Sequence, residues 1–228
     1  MRLRLITAVA AVMAFAAATA YAAHVIPPDR YPPGCDQRPI APPGKALQAG
    51  PGDNTLDGSP RRDILRGGAG IDILLGRKGR DCLYGQRGVD AILGSLGPDK
   101  LFGGGGGDRL AGASGGDVGS GKKGGDEISG GPGRDDITGD RGDDLLKGGV
   151  DADSLDGGKG DDMISGKDGD DRLSGRTGDD ILGAGPGDDR IGDVDGTNKI
   201  RCGSGVDQVR TNAESTVDDD CEVVTRVG

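Results

Sequence analysis

Between residues 49 and 210 the aliphatic side chains recur at every ninth position, separated by small and polar residues. Leu56, Leu65, Leu74, Leu83, Ile92, Leu101 and Leu110 open the series. Ile128, Ile137, Leu146, Leu155, Ile164, Leu173, Leu182, Ile191, Ile200 and Val209 continue it, and Gly119 is its one departure. Blocks such as GGAGIDILL (67–75), GGGGGDRLA (103–111), GGPGRDDIT (130–138) and GGKGDDMIS (157–165) align without insertion or deletion. The register covers 162 residues, which is eighteen blocks of nine. A period of this kind marks a repeat architecture.

Each column has a physical reading. The first position is Gly in fourteen consecutive blocks, from Gly58 to Gly175. The fourth is Gly in sixteen of eighteen, the exceptions being Arg61 and Asp151. Gly allows φ > 0 and close backbone approach, so both columns predict a tight turn at the start of each block. The last three positions read x-U-x with U aliphatic, which predicts a very short strand sending one side chain inward. Turn, strand, turn, strand completes a coil in two blocks. Nine coils paired in parallel about 4.8 Å apart make an all-β solenoid on the order of 40 Å long. Two facing columns of Leu, Ile and Val form its core.

The sixth position decides the chemistry. It is Asp in sixteen blocks and Asn at residues 54 and 198. Stacked turns bring these carboxylates together, and like charges at short range disfavour ionisation. One aliphatic side chain per nine residues is a thin core to offset so much ordered backbone. A divalent cation between the turns would answer both problems. The composition agrees: 33% hydrophobic, 2% aromatic, 48 Gly and no Trp would read as disorder were it not for the repeat. The formal charge of −10 argues against nucleic acid, which needs a basic face.

These blocks resemble the RTX calcium-binding nonapeptide family, whose pattern is GGxGxDxUx. The resemblance spans 162 of 228 residues. It implies a right-handed parallel β-roll with Ca²⁺ held between GGxGxD turns two repeats apart. The ligating column would be Asp63, Asp72, Asp81, Asp90, Asp99, Asp108, Asp117, Asp126, Asp135, Asp144, Asp153, Asp162, Asp171, Asp180, Asp189 and Asp207. Asp63 would pair with Asp81 and Asp72 with Asp90. Ca²⁺ takes six to eight oxygens in flexible geometry, whereas Mg²⁺ demands a stricter octahedron. The lack of a His or Cys column argues against zinc and copper. Eight gaps on each side permit about sixteen ions. Arg61, Arg62, Pro98, Asp151, Asn54 and Asn198 are expected to weaken some sites, and 121–189 to hold the strongest. In that block, fifth-position Asp143, Asp161, Asp170, Asp179 and Asp188 read either as a solvated face or as extra ligands.

The flanks divide the chain into four parts. Residues 1–22 combine Arg2 and Arg4, the apolar run Leu5 to Ala18, and Ala20-Tyr21-Ala22, which reads as a secretory signal peptide. Residues 23–48 are Pro-rich, 49–210 are the repeats and 211–228 a C-terminal cap. After removal of the signal no membrane span is expected. Four Cys in an oxidising compartment suggest disulfides, with three possible pairings. The C-terminal end resembles that of secreted calcium-binding repeat proteins of Gram-positive bacteria, which carry IxCGxGxDxV…DxCExV. That resemblance implies a Cys202–Cys221 disulfide and leaves Cys35 to Cys82, unless Cys82 is buried and free.

No catalytic constellation is present: His24 is the single His and lies beside the cleavage motif. The expectation is a secreted, extracellular, non-enzymatic protein that folds on binding calcium, with a surface, matrix or adhesion role and a polysaccharide among its possible partners. Two rivals are an ice- or surface-binding solenoid with purely structural calcium, and a stand-alone accessory module of a polysaccharide-active enzyme.

Overall fold

The computed structural model describes His24–Val25, Cys35 and residues 44–193 and 195–227. The expected signal segment 1–22, and most of the Pro-rich segment, lie outside the described residues. Among the described residues there are strands and turns and no helix, hence none long and apolar enough to cross a membrane.

Successive strands alternate between two sheets, one of twelve strands and one of ten. Within each sheet every repeat strand pairs in parallel with the strand two blocks away. Leu65 faces Leu83 in one sheet, and Leu74 faces Ile92 in the other. Two blocks therefore make one coil, as the spacing predicts. The strands are longer than predicted, six residues rather than three, as in Ile73–Lys78 and Cys82–Arg87. Pairing continues past the aliphatic position and through the glycines: after Leu75↔Leu93 come Arg77↔Ser95 and Lys78↔Leu96. The turn too is bonded coil to coil, with the Gly79 N–H donating to the Leu96 carbonyl at 2.9 Å. Each coil thus satisfies most of its backbone polar groups on its neighbours.

The ladders extend beyond the repeat at both ends. Ala46–Gln48 pairs in parallel with the strand Ile64–Ala69, and His24–Val25 adds antiparallel outside it. Thr216–Val217 and Val223–Val227 continue the two sheets at the other end.

All seventeen aliphatic residues of the eighth position are buried between the sheets. At Gly119 the neighbours have closed in. A Cβ there would lie 3.1 Å from Ile128 Cγ2 of the opposite sheet and 3.8 Å from Ile137 Cγ1. Two disulfides fasten the ends, Cys35–Cys82 and Cys202–Cys221. The first sits in a satellite cluster with Ile64, Ala46 and Tyr84, outside the main core.

Candidate metal centres

The sixth-position Asp closes each turn just before the next strand, and its side chain folds back into the turn. All sixteen, from Asp63 to Asp189 and Asp207, are at most 3% exposed. In each, Oδ1 accepts a backbone N–H from eighteen residues earlier. The Asp72 N–H reaches Asp90 at 2.9 Å, Asp99 reaches Asp117 at 2.7 Å, and Asp171 reaches Asp189 at 2.7 Å. In the expected pairs Asp63–Asp81 and Asp72–Asp90 the link is therefore from the main-chain N–H of one to the carboxylate of the other, not carboxylate to carboxylate. Beside Pro98, Asp99 still accepts the Asp81 N–H at 2.7 Å.

The second oxygen has no such partner. Oδ2 of every member from Asp72 to Asp189, and of Asp207, is buried without a hydrogen bond. It faces other oxygens. A Cβ built on Gly76 would lie 2.7 Å from Asp81 Oδ2 and 2.8 Å from the Gly94 carbonyl oxygen one coil on. Carboxylate and carbonyl oxygens are both acceptors, so nothing in the chain bridges them. Asp63 is the exception, because the Ser59 N–H reaches its Oδ2 at 2.6 Å and the Ser59 hydroxyl lies at 3.1 Å.

This explains the first column and corrects part of its reading. Gly at the first position is not left-handed; through Gly175, Asp Oδ2 and, at most turns, the next coil's carbonyl crowd where a Cβ would be. Positive φ falls instead at the second and fourth positions. The fourth column includes Asp151 at φ 80, whereas Arg61 is not left-handed. The second column was not read from the sequence as special, and eight non-Gly residues occupy it at positive φ, among them Arg77, Gln86, Ala113 and Lys122. The paired glycines at 67–68, 103–104, 130–131, 148–149 and 157–158 were the available signal.

Without a cation the column is electrostatically uncomfortable. Burial pushes the Asp81 carboxyl up to about 8, with the charges of Asp99 and Asp63 adding to it. Burial likewise raises Asp108, Asp135, Asp144 and Asp162 to about 7. It raises Asp99, Asp153, Asp171 and Asp189 to about 6. The hydrogen bond each accepts from the earlier turn opposes this and does not overcome it.

Three features test whether a cation fits. First, the orphaned oxygens are paired with carbonyls, an all-oxygen donor set suited to a hard ion. Second, where Asn replaces Asp, its amide supplies the missing donor: Asn54 Nδ2 donates to the Gly50 carbonyl at 3.1 Å, and Asn198 Nδ2 to the Asp195 carbonyl at 2.8 Å. Third, the chain supplies its own cation at the first coil. Lys45 Nζ donates to the Asp57 and Gly58 carbonyls at 2.8 and 3.0 Å. One coil on, the equivalent carbonyls, of Leu75 and Gly76, crowd the same point as Asp63 Oδ2. Lys45 is thus an ammonium stand-in at a carbonyl pair that recurs up the stack.

The fifth-position Asp residues have another role. Asp143 Oδ1 accepts the Asp161 N–H at 3.0 Å, Asp161 accepts from Asp179 at 2.9 Å, and Asp179 from Thr197 at 2.8 Å. Asp170 and Asp188 do the same on the other side. They are exposed and stitch the next coil's backbone from outside, in the direction opposite to the buried column.

The family model described as the RTX calcium-binding nonapeptide repeat (4 copies) matches residues 57–92, 84–119, 120–155, 129–164 and 156–191. No curated protein matched the chain.

Proposed function

We propose, from the premise that this chain belongs to the RTX calcium-binding nonapeptide repeat family, that it is a secreted, non-enzymatic protein whose β-roll folds around calcium at the buried Asp column. The observation carrying this reading is the row of buried Oδ2 atoms that face carbonyl oxygens and have no donor in the chain. Bound calcium would supply the positive charge that lets neighbouring carboxylates be ionised together. The residues that would hold it are Asp72 to Asp189 at nine-residue intervals and Asp207, with the turn carbonyls. Asp63 is the poorest of the column, because Ser59 already engages its Oδ2. The chain's own part is to fix one carboxylate oxygen on the preceding coil's N–H, so that the other is presented in a set direction. Gly at the first position keeps that direction open.

Residues 1–22 serve in this reading as the export signal, 23–48 as a tethered N-terminal segment, 49–210 as the calcium-binding roll and 211–228 as its cap. Two disulfides suit an oxidising, extracellular destination. The role there is at a surface, in a matrix or in adhesion, with a polysaccharide as the partner class.

Far-UV circular dichroism of the disulfide-intact mature chain tests the core of this. In chelator the spectrum is expected to be largely disordered, and stepwise calcium should convert it cooperatively to β, with magnesium ineffective. A β spectrum in chelator that calcium does not alter would overturn the reading.

A further inference from the structure

The first position of the repeat is Gly through Gly175, then Ala184, Asp193 and Cys202. Asp193 stands out among these. It is 2% exposed, and neither of its carboxylate oxygens has a well-formed hydrogen bond; the Asp195 N–H lies near enough to favour its charged form and does not outweigh its burial. It lies at the end of the strand Arg190–Asp193, opposite Thr211 in the parallel ladder, and Ile191 beside it is buried in the core. Its side chain is therefore held in place by the sheet.

What it faces is the turn one coil earlier. A Cβ on Gly175 would collide with both Asp180 Oδ2 and Asp193 Oδ2, so the two carboxylate oxygens converge on one point. In the regular turns that point is shared by one carboxylate oxygen and main-chain carbonyls, as Asp81 and Gly94 do above Gly76. Here a second full charge joins it. The block containing Asp193 has neutral Asn198 in the sixth position, whose Oδ1 accepts the Asp180 N–H at 2.9 Å and whose amide donates to Asp195. The Asp180–Asp193 pair thus concentrates charge where the column itself loses it. The family match ends at residue 191, so Asp193 is not part of it.

We propose that Asp180 and Asp193 form a distinct site for one hard, calcium-sized cation, tighter than the repeat sites and the first to fill. The proposal rests on the calcium reading of the column. Two buried carboxylate oxygens converging on one point with no chain donor at that point are costly unless a cation or a shared proton lies between them. Added ligand charge and a rigid setting are the two means by which oxygen sites raise calcium affinity. The Cys202–Cys221 disulfide and the closing strands hold this end of the roll, which supplies the rigidity.

The test is a calcium titration by calorimetry on the disulfide-intact mature chain, compared with Asp193→Gly, which restores the residue usual at that position. The wild-type chain should show a tightest step of one ion, followed by the bulk of the sites. Asp193→Gly should lose that step, its first-ion affinity falling by about tenfold or more, while calcium still produces the same final β spectrum. Should that variant fail to fold, Asp193→Asn, which keeps the volume, is read in the same way. A variant that retains an equally tight first step overturns the proposal and leaves the column reading standing. So does a wild-type pair that takes up a proton and no calcium ahead of the other sites. A wild-type chain that binds no calcium at all removes the column reading itself.

Discussion

The backbone N–H of Asp144 donates to Oδ1 of Asp162 at 2.8 Å, while Oδ2 of that same carboxylate is buried with no partner. One oxygen thus does the work of a sheet hydrogen bond and locks the side chain. The other is left in a dry, acceptor-only setting, where an ionised group is expensive. Repeated up both sides of the roll, this relationship makes the metal-free coil a strained one and gives calcium a place to act.

The pH dependence of the chelated protein follows. An unpaired Asp has an ordinary value of 3.8, and burial lifts Asp81 to about 8, Asp108 to about 7 and Asp99 to about 6. Between those limits the folded state binds more protons than the unfolded chain, so its stability falls as pH rises. In chelator, acidification from pH 8 to pH 5 should therefore increase β content and melting temperature. With saturating calcium the trend should reverse, because protons then compete for the ligands. Thermal melts at matched ionic strength decide it; a chelated protein that loses structure over this range contradicts the burial argument.

Gly124 has φ 128, and a Cβ there would overlap the Gly106 carbonyl oxygen of the preceding coil. Gly124→Ala should cost about 2–5 kcal/mol, combining left-handed strain with overpacking. Denaturant unfolding of the calcium-loaded protein would read this as a lower midpoint.

Ala113 sits at the second position with φ 79. Replacing it with Gly relieves about 1–2 kcal/mol of left-handed strain against about 0.5–1 kcal/mol of added chain entropy. Ala113→Gly should raise the calcium-loaded melting temperature slightly, for a net gain of up to about 1.5 kcal/mol. A fall in melting temperature would show that strain at this column is not what limits stability.

Gly119→Leu restores the aliphatic pattern, yet it should destabilise by about 1–3 kcal/mol. The space that a side chain would enter is already taken, with Ile128 Cγ2 only 3.1 Å from a Cβ. A stabilised variant, measured by the same unfolding experiment, would mean that the core at this coil can open.

The sequence by itself determined the register, the two-block coil, the core column from Leu56 to Val209 and the buried Asp column. These depend only on a strict nine-residue period, which places chemically equivalent residues in equivalent places whatever their detailed angles. Tertiary structure decided what no single block contains. Gly76 is glycine because Asp81 Oδ2 and the Gly94 carbonyl meet above it, and Gly94 belongs to the next coil. Lys45 acts as a cation because coiling brings it to the Asp57 and Gly58 carbonyls. Asp143, which reads in the sequence as either a solvated carboxylate or an extra ligand, bonds the backbone of Asp161 one coil away. Asp193 looks like a lapse in the glycine column until stacking sets it against Asp180. In each case the deciding atom lies twelve to eighteen residues away along the chain and within contact distance across the coil.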